Sequence, residues 1–276
     1  DPPDYKGRLA ILQVHARDKK IDPEVSLEVV ARRTTGFTGA DLANLLNEAA
    51  IFTARRRKEA ITISEIDDAI DRVIAGMEGK VIMDGKFKRM TAYHEIGHAL
   101  LMTLLKDHEP VQKVTVLPRG QAIGLTWSMP NEEQGLESRA KLLAMITVSL
   151  GGRAAEEVVF GKDEIDSGAS NDIQRLTRIA RGMVAQMGMS ELGLVAMDTE
   201  YQEYSETIAA QIDREVRKIV KECHKQAVEI LQSHRWLMDM LAEILIDRET
   251  IDGEEFKQIV DREIAQHQVA QSKPAL

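Results

Sequence analysis

The stretch that decides the reading of this chain is Thr91-Ala92-Tyr93-His94-Glu95-Ile96-Gly97-His98-Ala99-Leu100-Leu101. From Met90 to Leu105 apolar residues fall on nearly every side of a helical wheel, which predicts a helix buried all round. Three ionisable groups nevertheless sit within five of its residues, and interior polar groups need partners or a metal. His94 and His98, at i and i+4, share one helix face, so both imidazoles can reach one ion. Glu95 projects beside that face, where it can hold a water and take its proton. The spacing predicts a zinc centre that makes water nucleophilic near neutral pH.

A catalytic zinc takes three protein ligands and leaves one position open. No histidine follows within a few residues of His98. His108 lies beyond the expected helix end, and His224, His234 and His267 belong to distant helices. A carboxylate is therefore expected as the third ligand. The candidates are Glu156 and Glu157 in GGRAAEEVVFG (151–161), Asp166, and Asp172 in DSGASNDIQRLTRIAR (166–181). An aspartate in the first turn of a helix is favoured by the dipole without any metal. Glu156 is instead a carboxylate in a largely apolar helix and needs some partner. Chemistry alone leaves the choice open.

Outward from this core, a mainly α protein with a small β-hairpin or sheet is expected. Aromatic residues make up only 4% of the chain, whereas pleated strands favour aromatic and β-branched residues. Four short amphipathic helices come first: about 4–17, one opened by the cap Asp22 and Pro23, one from Thr38 or Gly39 to Arg57, and one from Ser64. Two glycines in the unpatterned segment 75–80 predict a boundary between domains 1–78 and 79–276, with Gly76 and Gly79 as a hinge. Strands are expected at 111–117 and 122–128, joined by Pro118-Arg119-Gly120, and either edge is a candidate peptide-binding edge. Helices follow over 138–160, broken at Gly151-Gly152, then from Asp172 past Met183, over 205–231, and over 236–246. A polar tail is expected from Gln266.

The net charge of −9 argues against nucleic acid as a partner. The one basic run, Arg55-Arg56-Arg57-Lys58, falls at a helix end, where cations complement the dipole. A single cysteine, Cys223, allows neither an internal disulfide nor a cysteine-rich zinc cage. The first residues run straight into a helix without Met, as in a piece of a longer protein.

PDYKGRLAIL (3–12), GFTGADLANLLNEAA (36–50), YHEIGHAL (93–100), VQKVTVLPRG (111–120), LGGRAAEEVVFG (150–161) and GASNDIQRLTRIAR (168–181) stand in order along the chain. Together they resemble the FtsH family of membrane-bound, ATP-dependent zinc metalloproteases, and RGQAIGLTW (119–127) resembles its cyanobacterial and chloroplast branch. The resemblance implies one Zn2+ per chain held by His94, His98 and Asp172, with Glu95 as catalytic base and Glu156 and Glu157 in support. It implies that 1–78 is a four-helix AAA lid, with Gly39 and Ala40 near bound adenine, and that 79–276 is a helical peptidase domain. It implies a homo-hexamer, or a hetero-hexamer with paralogues, that degrades unfolded or membrane proteins. The full-length protein would be membrane-anchored, with this portion on the cytoplasmic or stromal side, and would use ATP and Mg2+. No GxxxxGK[ST] loop occurs in the chain, so ATP hydrolysis by this portion alone is not expected. The rival reading is a non-catalytic hexamer-assembly module with a structural zinc. It requires four protein ligands and leaves Glu95 without a purpose.

Overall fold

Capping side chains set the ends of the first four helices. A computed structural model of the chain describes residues 2–76, 85–118, 124–128, 136–194, 196 and 205–272. Helix α1 (Tyr5–Ala16) starts where the Asp4 carboxylate accepts the Gly7 N–H at 2.8 Å. Helix α2 (Leu27–Arg32) is capped by Ser26, and α3 (Gly39–Arg55) by a reciprocal box between Thr38 and Asp41. Helix α4 (Ile63–Ala75) starts from Thr62, whose N–H and hydroxyl both donate to Glu65. Leu12, Val30, Leu42, Leu45, Leu46, Ile66 and Ile70 supply the buried core of these helices.

Two expectations change here. Helix α2 begins at Leu27 and not at Pro23, because the Asp22 side chain accepts the Glu24 N–H and its carbonyl accepts the Val25 N–H. Those bonds close a turn instead of capping a helix. The basic run at 55–58 also does more than meet a dipole. Arg56 and Lys58 reach the wholly buried Glu65 carboxylate at 2.7 and 2.8 Å, and Arg56 also pairs with Asp68.

The remaining described elements form a separate unit around α5 (Gly85–Leu104). In order they are β1 (Val111–Thr115), β2 (Leu125–Ser128), α6 (Arg139–Ser149), α7 (Gly151–Phe160), a short 3-10 helix (Lys162–Glu164), α8 (Ser170–Ala185), α9 (Glu206–Ser233), α10 (Arg235–Arg248), β3 (Thr250–Asp252) and α11 (Gly253–Ser272). The all-round apolar pattern of α5 has its expected result: α7, α10, α6 and β1 pack about it, and residues from Met90 to Met102 are buried almost without a break. Fully burying each large apolar side chain contributes roughly 1.5–3 kcal/mol. Helix α9 backs α6, α7 and α8.

The fold is mainly α with a small sheet. Its strand order is β2-β1-β3, and β1 pairs antiparallel with β3, Lys113 opposite Asp252 and Thr115 opposite Thr250. Strand β3 and helix α11 have no counterpart in the sequence reading. Three residues are too few to show a period of two, and β3 exists because β1 offers it an edge. The chain stays helical to Ser272, past the expected start of a polar tail. The turn residues Arg119 and Gly120, the strand residue Ala122 and the hinge residue Gly79 lie outside the described residues.

Burial alone would raise the Glu65 carboxyl, but Lys58, Thr62 and Arg56 more than offset it and hold its pKa at about 2. Its stabilising contribution is therefore full above the unfolded value of about 4.5 and is lost as pH falls through about 2. Glu65→Ala is expected to cost about 2 kcal/mol at neutral pH. That is below the usual figure for a broken buried pair, because both cations are half-exposed and screened. Chemical denaturation of the two proteins at pH 7 and pH 2 checks this: the gap between them narrows in acid.

Candidate metal centre

Helices α5 and α7 cross where neither has a side chain. A Cβ built on Gly97 would stand 2.3 Å from the Gly151 carbonyl oxygen, so any other residue would push the helices apart. The next residue of α7, Gly152, lies against the His94 ring, and a Cβ there would come within 2.3 Å of Nε2. His94 thus occupies a slot that exists only because position 152 is glycine. One turn further along α7, the buried Glu156 places Oε1 2.6 Å from His94 Nδ1.

His98 is oriented differently. Its Nδ1 lies 2.7 Å from the carbonyl oxygen of Val148 at the end of α6. A carbonyl only accepts, so Nδ1 carries the proton and Nε2 keeps its lone pair. The Glu156 carboxylate selects the same tautomer for a neutral His94. The two Nε2 atoms converge to 3.2 Å, and Asp172 Oδ2, from the first turn of α8, stands 3.6 Å from each. His94, His98 and Asp172 each offer a ligand atom within 4.8 Å of the others. Asp172 remains 31% exposed, so the cluster opens on its side.

The other sequence candidates are placed elsewhere. Glu156 stands behind His94, and Glu157 faces His224 at 3.3 Å. Asp166 accepts the Gly168 N–H at 2.6 Å. His108 and His234 donate to the carbonyls of Glu109 and Ile230, and His267 stacks on Trp236. Gly39 and Ala40 open α3 behind the Thr38 cap.

Glu95 lies beside the cluster and is buried. Thr126 of β2 donates its hydroxyl to Glu95 Oε2 at 2.7 Å and approaches the Glu95 carbonyl at 3.1 Å. Burial pushes the Glu95 carboxyl up, against the pull of the two imidazoles. Burial pulls His94 down, but Asp172 and Glu156 outweigh it and push the ring up to about 10. The imidazoles in turn hold Asp172 well below the usual carboxylate range, despite its burial. Three acids around two imidazoles create a demand for positive charge between the Nε2 atoms. Two imidazole nitrogens and one carboxylate oxygen suit zinc, and three donors are the number that leaves a coordination position open.

Sequence reasoning did not single out the Val148 carbonyl, Thr126 or the role of Gly152. Only the last left a signal: the Gly151-Gly152 pair read as a helix interruption, which the break between α6 and α7 bears out, and it is also the surface on which α5 and the His94 ring rest.

Residues 81–259 match peptidase family M41, and residues 24–68 match the AAA+ lid domain. The ATP-dependent zinc metalloprotease FtsH of Synechococcus sp. (strain JA-2-3B'a(2-13)) is 52% identical over 276 residues, covering 95% of this chain and 43% of that protein. The ATP-dependent zinc metalloprotease FtsH of Cyanidium caldarium is 49% identical over 274 residues, covering 95% and 45%. The chloroplastic ATP-dependent zinc metalloprotease FTSH 6 of Arabidopsis thaliana is 49% identical over 271 residues, covering 94% and 39%. The chain spans less than half the length of these relatives.

Gly152→Ala drives a methyl group into the His94 ring. The variant is expected to keep its helical circular dichroism but to hold zinc at least tenfold more weakly than the wild type. Metal content after equilibrium dialysis at graded free zinc measures the difference.

Proposed function

The chain belongs to peptidase family M41, and on that premise we propose that it is the peptidase portion of a zinc-dependent endopeptidase. The observation that carries this reading is the convergence of His94 Nε2, His98 Nε2 and Asp172 Oδ2 beside a buried carboxylate, Glu95. These three residues would hold the zinc. Zinc bound there would supply Lewis acidity, polarising a peptide carbonyl and lowering the pKa of the water so that its deprotonated form is available to attack near neutral pH.

The chain's own residues supply the proton handling and the orientation. Glu95 takes the proton of the attacking water on its carboxylate and delivers it to the leaving amine nitrogen. Thr126 fixes one oxygen of that carboxylate, so the base meets the water with a set geometry. Glu156 and the Val148 carbonyl hold the two imidazoles by Nδ1 and leave Nε2 for the metal. Strand β2 lies at the edge of the three-stranded order, and β1 is central. A peptide adding to that edge by backbone hydrogen bonds would lie next to the residue that positions the base, with little sequence preference.

The AAA+ lid match supports a place for this portion in an ATP-driven protease, with Gly39 and Ala40 contacting nucleotide when the phosphate-binding loop is supplied elsewhere in the full protein. Protein substrates and oligomeric assembly follow from the family. Unfolded and membrane proteins are the substrates proposed, and a ring of six like chains, or of paralogues, is the assembly. Among the described residues no helix is long and apolar enough to cross a membrane. We place the proposed membrane anchor in other parts of the full protein, with this portion on the cytoplasmic or stromal side. Domain limits of 1–78 and 79–276 complete the proposal.

Glu95→Gln removes the base and keeps the ligands. In the assembled full-length enzyme its casein hydrolysis is expected to fall by roughly 10²–10⁴-fold, with zinc content unchanged. Asp172→Asn is expected to lose zinc and activity together. Full activity in Glu95→Gln would falsify the assignment of the base.

A further inference from the structure

Arg153 is a charged residue of α7 that has no part in the proton handling above, yet its side chain is only 19% exposed. Its guanidinium touches two different supports of the cluster. On one edge, Nε stands 3.7 Å from Glu156 Oε2, too far for a hydrogen bond but within ion-pair distance. Both of those atoms are buried, and neither has a hydrogen-bond partner. The other oxygen of Glu156 is the one that faces His94 Nδ1 at 2.6 Å. Arg153 is thus the cation on the far side of the carboxylate that orients His94.

On its other edge, Arg153 Nη2 donates to the carbonyl oxygen of Asp166 at 2.7 Å. Asp166 opens the short segment that delivers Asp172. Its carboxylate accepts the Gly168 N–H at 2.6 Å, and Ser170 Oγ donates to the Ser167 carbonyl at 2.8 Å. Helix α8 then starts at Ser170, with Asp172 in its first turn. A segment folded this tightly on itself moves as a piece, so a hold on the Asp166 carbonyl sets the place of Asp172. His94 and His98 share one helix and keep their mutual spacing without help. Asp172 comes from a different element, and its distance from the histidines is what the fold must fix by other means.

We propose that Arg153 is a positioning residue of the metal centre, one guanidinium that braces the carboxylate behind His94 and the approach to Asp172 at once. Arginine suits this task because its donors lie in a rigid planar fork facing two directions, whereas lysine is a single point charge on a flexible stem. The proposal rests on the reading of His94, His98 and Asp172 as metal ligands.

The test compares the wild-type chain with Arg153→Ala, Arg153→Lys, Glu156→Gln and the double variant Arg153→Ala/Glu156→Gln. Zinc affinity is measured by competition with a chelator at one pH, and the visible d–d absorption of the cobalt(II)-loaded chain reports ligand geometry. Far-ultraviolet circular dichroism shows which variants are folded. Arg153→Ala is expected to weaken zinc binding on the order of 10–100-fold, as loss of a supporting partner does, and to shift the cobalt bands. Arg153→Lys recovers only part of this, since it keeps the stem and charge but not both contacts. The double variant binds about as weakly as the weaker single variant, because the two residues act through one path. Wild-type affinity and cobalt spectrum in folded Arg153→Ala overturn the proposal, and so do strictly additive losses in the double variant. Should Arg153→Ala not fold, wild-type affinity in folded Arg153→Lys overturns it equally. A wild-type chain that takes up neither metal overturns the metal-centre reading as well, which separates the two failures.

Discussion

The contact on which the rest of the peptidase unit depends is the bare crossing of α5 and α7 at Gly97 and Gly151. Glycine in a helix interior costs about 1 kcal/mol relative to alanine, and the crossing is built on Gly97 of α5 and Gly151 and Gly152 at the start of α7. The return is proximity. With no side chain between them, the backbones approach closely enough for Gly152 to form the wall of the His94 slot and for Glu156 to reach the ring's far nitrogen. Packing and chemistry are set here by one geometric constraint.

That geometry explains how a buried helix tolerates His94, Glu95 and His98. Each polar group has a partner drawn from a different element: Glu156 from α7, the Val148 carbonyl from α6, and Thr126 from β2. The burial that makes α5 a sound core helix also removes water as a competing partner, which strengthens the interactions that remain. The site is thus part of the core, and among the described residues it opens where α8 brings Asp172 towards solvent.

The sequence made legible whatever is local. His94, Glu95 and His98 lie within one helical turn, so their shared face follows from helix geometry, and the all-apolar surroundings of α5 announced its burial. The strands expected at 111–117 and 122–128 showed through two short runs flanking a turn signal, and β1 and β2 fall within them. Long-range placement was not legible. Nothing in the spacing distinguishes Asp172, which reaches the histidines, from Glu157, which faces His224. That choice came from resemblance. The Val148 carbonyl has no side-chain signature at all, and Asp22 carried a plausible helix cap that the backbone spends on a turn instead. The three residues of β3 acquire their conformation from β1 and have no period of their own to read.

The two histidines are anchored by different kinds of acceptor, and this has an evolutionary consequence. His98 is held by a main-chain carbonyl, which every residue at position 148 supplies, so no single substitution there can delete the acceptor. His94 is held by the side chain of Glu156, which one codon change can remove. Half of the imidazole pair is therefore robust to mutational drift, and the other half is adjustable. Any lineage, or any engineer, seeking to retune the proposed metal centre without dismantling it has its handle at position 156 and not at 148.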